Sequence, residues 1–175
     1  LVRLGSDGVP ALVSLLKDNE TQLLALGIVS AIGESAAEAV PQIVELLDEK
    51  NDEILHEAIL ALAAIGSASS IASDRILAIL DESVQNQSEV ESRLHYAAAY
   101  CLGRIGAPAA KKALPRLKEL VSSSDGMQAT VAIWAVLQIT PDDEEQFKNA
   151  VPLLIEALNS DVQAVRLEAT IALGD

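Results

Sequence analysis

The chain has 175 residues, half of them hydrophobic but only 2% aromatic, so its core must be built from Ala, Leu, Ile and Val, a composition that favours helices. Twelve basic against 26 acidic residues give a net charge of −14, the wrong sign for gripping phosphate backbones, which excludes nucleic acid as the expected partner. No uncharged apolar run reaches the roughly 18 residues of a membrane span, and one cysteine, Cys101, can form no internal disulfide; a soluble, cytoplasmic chain with no membrane partner is the expectation.

In chain order, "LVRLG" (1–5) reads as the tail of an element, and "GVPALVSLLKD" (8–18) is the first clear helix, followed by a second, "TQLLALGIVSAIG" (21–33). The same couple returns as "AVPQIVELLDE" (39–49) with "DEILHEAILALAAIG" (52–66). It returns again as "SIASDRILAIL" (70–80), which lacks the Val-Pro, with "SRLHYAAAYCLGRIG" (92–106). "ALPRLKELVSS" (113–123) then pairs with "MQATVAIWAVLQIT" (127–140), and "AVPLLIEALNS" (150–160) with "AVRLEATIALGD" (164–175). Proline suits a first helical turn, where its missing N–H would be unsatisfied anyway. Asp and Asn between the halves suit turns and N-caps, and Gly after the last Ile suits a helix stop. Each couple is therefore a helical hairpin, and self-similarity at a spacing in the thirties is the signature of a repeat array. The units run approximately 8–33, 39–66, 70–106, 109–140 and 146–175. The polar stretch 81–92 is expected to be a loop inside unit three, and "TPDDEEQ" (140–146) an insertion before unit five. Because the chain closes on "RLEATIALGD", a fragment of a longer single array is expected.

Alternating "AVPxLxxLL" and "xxVRxxAxxALGxIG" segments resemble HEAT repeats, in particular the short HEAT-like type found in phycobilin lyases. The resemblance spans essentially the whole chain. It implies an all-α fold: an α-solenoid, a right-handed superhelix of about five antiparallel hairpins, with first helices on the convex side and second helices on the concave side. It also implies a protein-binding scaffold as the usual role.

A helical wheel run on all five second helices separates two faces. One holds Ile54, Leu94 and Val165; Ala25, Ala58, Ala98, Ala132 and Ala169; Val29, Leu62, Leu102, Val136 and Leu173; and Ile32, Ile65, Ile105 and Ile139. This face is expected to pack on the partner helix, its alanines allowing close approach of the axes. The opposite face holds Leu23, Gly27 and Ser30; His56, Leu60 and Ala63; Tyr96, Tyr100 and Gly103; Thr130, Trp134 and Leu137; Leu167, Ile171 and Gly174. Three of the four aromatics fall there. Two readings stay open: a contact surface, where Tyr and Trp are enriched, or burial by crowding of neighbouring second helices.

His56-Glu57 matches the "RHExAxxLG" context of deoxyhypusine hydroxylases, HEAT-like proteins in which several such pairs converge on a di-iron centre. No sister helix repeats the pair: its counterparts are Leu23-Leu24, Tyr96-Ala97, Thr130-Val131 and Leu167-Glu168, and the other histidine, His95, lies about 100° round. One pair cannot supply the several N and O ligands that an oxygen-activating iron needs. No metal or cofactor is therefore expected. Arg166 matches the family's Arg that pairs with an acid of an adjacent turn, but its counterparts Gln22, Leu55, His95 and Ala129 break that ladder. Cys101 reads as a small buried apolar residue. Arg104, Lys111, Lys112, Arg116 and Lys118 gather at the junction of units three and four and read as a solvated rim or as a dock for an acidic segment.

The expectation is thus a non-catalytic scaffold binding a protein or peptide through His56, Leu60, Tyr96, Tyr100, Trp134 and Leu137. The alternatives are a bilin lyase-like chromophore handler, an iron protein, and a structural spacer inside a larger protein.

Overall fold

The structure is a computed structural model that describes residues 8–82 and 88–174. Among those residues it contains ten α-helices and no strand: α1 (Val9–Leu16), α2 (Gln22–Ile32), α3 (Val40–Leu46), α4 (Asp52–Ile65), α5 (Ser73–Glu82), α6 (Glu89–Ile105), α7 (Leu114–Leu120), α8 (Gly126–Ile139), α9 (Glu144–Leu158) and α10 (Gln163–Gly174). Short 3-10 segments, Gly33–Ala39, Gly66–Ala72 and Ala109–Ala113, lead from α2, α4 and α6 to the next first helix. Odd helices pair with the even helix that follows, and the even helices stack on one another in chain order. The chain is an α-solenoid.

Local chemistry sets the helix ends. Asn51 accepts hydrogen bonds from the backbone N–H groups of Glu53 and Ile54, and Asp125 does the same for Met127 and Gln128. Ser88 and Glu91 form a reciprocal capping box at the start of α6. At the other end Gly33, Gly66 and Gly106 take φ of 65°, 75° and 68°, a conformation that only glycine adopts cheaply, which stops α2, α4 and α6. Ser69 supports one such stop by donating to the Leu62 carbonyl at 2.9 Å.

Three sequence expectations are corrected here. The loop over 81–92 is largely helical at its edges, since Asp81 and Glu82 close α5 while Glu89 to Ser92 open α6; residues 83–87 lie outside the described residues. The insertion before unit five is partly absorbed into α9: Asp143 caps Glu145 and Gln146, Glu144 and Glu145 fill the first turn, and Pro152 ends up inside the helix instead of in its first turn as Pro10, Pro41 and Pro115 are. In unit three the first helix begins only at Ser73, because Gly66–Ala72 is wound as a 3-10 segment.

The face expected to pack does so. Ala25, Ala58, Ala98, Ala132 and Ala169 are fully buried, as are Val29, Leu62, Leu102 and Ile139; the exceptions are Ile32, partly exposed, and Leu173, 42% exposed. A second set of columns is equally buried. Leu26, Ile59, Ala99 and Ile133, with Ala61, Cys101 and Ala135, pack where α2, α4, α6 and α8 meet. Neighbouring second helices thus contact each other extensively, while neighbouring first helices touch sparsely. A stack that approaches more closely on one side curves toward it, which places the second helices on the inside.

Two helical stretches, Gln22–Leu46 and Asp52–Glu82, are long and apolar enough by length and composition to cross a membrane. Each is broken midway by a glycine of positive φ, so in this fold each supplies two successive layers of the array.

Candidate functional site

The inner face is organised by an aromatic stack that spans two helices. Tyr96 and Tyr100, one turn apart on α6, lie parallel with ring centroids 6.4 Å apart and 6° between planes; Trp134 of α8 stacks on Tyr100 at 5.2 Å and 22°. The stack exists because Gly103 follows Tyr100 at the next position of the same face. A Cβ at Gly103 would collide with Trp134 Cζ3 and lie 3.0 Å from the Ala135 Cα, so only glycine leaves room for the indole to lie on α6.

Tyr96 carries the stack into the next unit but one. Its hydroxyl donates to Glu168 Oε2 at 3.0 Å, joining α6 to α10 across α8. Burial, the Glu168 charge and this hydrogen bond all push the Tyr96 phenol upward, so the hydroxyl remains a donor at every working pH. With the proton held, the ring is fixed at both ends.

Of the six residues expected to form the contact stripe, His56, Leu60, Tyr96 and Tyr100 are partly exposed on the inner side. Trp134 and Leu137 are not surface residues: they are 5% and 7% exposed. The reason is that α8 lies between α6 and α10 and has ten of its fourteen residues buried, including Thr130, whose hydroxyl donates to the Gly126 carbonyl at 2.7 Å. The face is therefore divided between buried and accessible residues. Crowding buries the α8 members, and the α4 and α6 members stay accessible above them.

His56 turns toward its own neighbour, Nδ1 lying 3.1 Å from Glu57 Oε1, with 16% of its side chain exposed. Among the described residues no group of three His, Cys, Asp or Glu side chains is placed to hold a metal ion. His95 of α6 is buried, with Nε2 unpaired among the described residues; burial and the Arg116 cation lower its pKa against the opposing pull of Gln128, Glu91 and Asp125. Cys101 is fully buried and its thiol is pushed up to about 12 by burial, as expected of a core residue. Arg166 serves the turn between α9 and α10, donating to the Ser160 and Asp161 carbonyls at 2.6 and 3.0 Å in place of an acid.

The basic cluster divides. Lys112 pairs with Asp74 at 2.8 Å and Arg116 with Asp81 at 3.5 Å, continuing the contact of Arg75 with Asp48 at 2.8 Å, so these cations tie successive first-helix layers together. Each such exposed pair is worth little alone. Arg104 differs: it is exposed on the inner edge, its Nε donates to the Ala63 carbonyl at 3.3 Å, and no carboxylate pairs with it among the described residues. It faces Gln138 across a cavity of about 280 Å³ whose other lining residues are Gly103 and Trp134. Sequence reasoning missed Gln138. The signal was present, since Arg104 and Gln138 hold the same register position on consecutive second helices where the first two carry Ala31 and Ala64.

Fold and site together define an α-solenoid of stacked helical hairpins with an aromatic inner face. Residues 94–123 match the model of the PBS lyase HEAT-like repeat, a segment that covers most of α6, the following turn and α7 and includes Tyr96, Tyr100 and Arg104. No curated protein sequence matches the chain. Among solved structures, an engineered protein is similar at 26% identity and a TM-score of 0.64, over 96% of this chain and 78% of that one. The complex of CpcE and CpcF of phycocyanin lyase from Nostoc sp. PCC7120 is similar at 23% identity and 0.59, over 95% and 98%. A computationally designed armadillo repeat protein for modular peptide recognition is similar at 21% identity and 0.62, over 94% and 80%. At these last two identities the likeness is one of fold.

Proposed function

We propose that this array is a non-catalytic scaffold that binds an extended protein segment along its second-helix face. The observation that carries the reading is the stack of Tyr96 and Tyr100 on the buried Trp134, pinned by Glu168. Tyrosines held rigid before binding lose little conformational entropy on contact and offer both apolar area and a polar rim, the usual make-up of an anchoring patch. His56 and Leu60 on α4 extend the accessible stripe by one unit, while Trp134 and Leu137 form its floor. The solved structure designed for peptide recognition supports the idea that this architecture can present such a face.

The test is selection of random dodecapeptides on the intact protein, followed by affinity measurement with Tyr100→Ala. A true anchor costs about 2 kcal/mol or more when truncated, so affinity should fall by roughly thirtyfold while the helical circular dichroism is retained. Unchanged affinity in a folded variant would refute the assignment. Trp134→Ala is the wrong probe, because removing a buried Trp costs roughly 3–5 kcal/mol of stability whatever the face binds.

A second reading, bilin handling, is favoured by the placement of the PBS lyase HEAT-like match over Tyr96 and Tyr100. Mixing the protein with a bilin separates the two: a new, saturable absorption band lost in Tyr100→Ala would favour the chromophore.

A further inference from the structure

We infer that Arg104 and Gln138 form a carboxylate-binding notch that fixes an Asp or Glu side chain of the bound segment, beside the aromatic stack. The inference rests on the peptide-binding reading and adds the chemistry of what is bound. Several features converge on it. The two side chains hold one register position on adjacent helices and line a cavity of about 280 Å³. Gly103 and Trp134 complete its lining, and Trp134 stacks on Tyr100, so the cavity adjoins the aromatic stack. The Ala63 carbonyl holds Arg104 through Nε and thereby orients the guanidinium, whose two terminal nitrogens meet no acceptor among the described residues. The planar fork of a guanidinium matches a carboxylate with two parallel hydrogen bonds, and the Gln138 amide supplies a further donor.

Charge complementarity sets the sign. In a chain of net charge −14, Arg75, Lys112 and Arg116 each take a carboxylate of this chain, while Arg104 takes none among the described residues. The acidic run Asp142, Asp143 and Glu144 lines a separate cleft with Lys111 and does not line this one. An incoming carboxylate therefore finds an oriented cation in a notch that no acidic side chain lines among the described residues. The residues of the partner next to that acid would lie on the tyrosine rings, which calls for an aromatic or aliphatic side chain there.

The same dodecapeptide selection tests this. Enriched sequences should carry Asp or Glu beside an aromatic or aliphatic residue. For a synthetic peptide of that set, replacing its acid by the amide, or making Arg104→Ala in the protein, should each weaken binding by about tenfold, and both together by little more than either alone. Arg104 is exposed, so the variant retains the fold. Peptides without acid enrichment, or full affinity in Arg104→Ala, would overturn the notch. If Tyr100→Ala weakens the same peptide while Arg104→Ala does not, the groove stands and the notch falls; if no peptide is selected, both fall.

Discussion

Gly103 of α6 lies against the indole of Trp134 of α8, so the packing of these two second helices at this point depends on an absent side chain. The tyrosine platform depends on that contact, because Tyr100 stacks on the ring that Gly103 admits.

Gly103→Ala therefore sets two effects against each other. Alanine is favoured over glycine in a helix by up to ~1 kcal/mol, but overpacking a close contact costs ~1–3 kcal/mol, and here one neighbour is the Ala135 backbone, which cannot rotate away. The variant should be less stable in urea unfolding, with altered Trp fluorescence. Gly27→Ala on α2 is the control: nothing lies within 4 Å of the added Cβ, so stability should rise by up to ~1 kcal/mol. Equal effects of the two substitutions would contradict the packing described.

Cys101 should be inert in the native state. Its thiol is fully buried and pushed up to about 12, so the thiolate that reacts with an aromatic disulfide reagent is absent near neutral pH. Labelling should follow global unfolding, rising with denaturant in step with loss of circular dichroism.

Stability should fall with acidification through His95. Burial and Arg116 lower its folded pKa below the ordinary 6.5, so below that pH the unfolded chain takes up a proton that the folded chain refuses. The contribution is fully present above about pH 6.5 and is lost as pH falls from there toward the folded pKa, with a slope of at most ~1.4 kcal/mol per pH unit for one proton. Urea titrations between pH 5.5 and 7.5 should show this slope in the parent and a flatter profile in His95→Gln.

α10 exposes Leu167 and Ile171 on the face it shares with Tyr96 and Tyr100, and Leu173 on the opposite face, at the position where Val29, Leu62 and Leu102 are fully buried. Exposed large apolar side chains on both faces of one helix favour association. Ile171→Gln with Leu173→Gln should reduce self-association in sedimentation equilibrium while changing stability by less than ~1 kcal/mol, since neither side chain is in the core.

Much of the fold was legible because repetition amplifies weak signals. Ala25, Ala58, Ala98, Ala132 and Ala169 share one position, and five small residues in register say more about packing than any single one. What a single-helix wheel could not contain was the next helix. It placed Trp134 and Leu137 on an outward face, correctly for α8 alone, but α6 and α10 close over that face. The Tyr96–Glu168 hydrogen bond skips a whole unit, so no local pattern encodes it. The stretch 81–92 misled because its polar composition reads as loop, whereas Ser88 and Glu91 are a capping box, a helix start written in the same polar letters.

The central claim is where the partner lies, and backbone amide chemical-shift mapping of the isotope-labelled protein with a selected peptide tests it most directly. The account predicts perturbations concentrated at Leu60, Tyr96, Tyr100, Arg104 and Gln138 on the inner helices. Perturbations concentrated instead on α3, α5 and α7, or on the exposed side of α9 and α10, with the α6 signals unmoved, would contradict it.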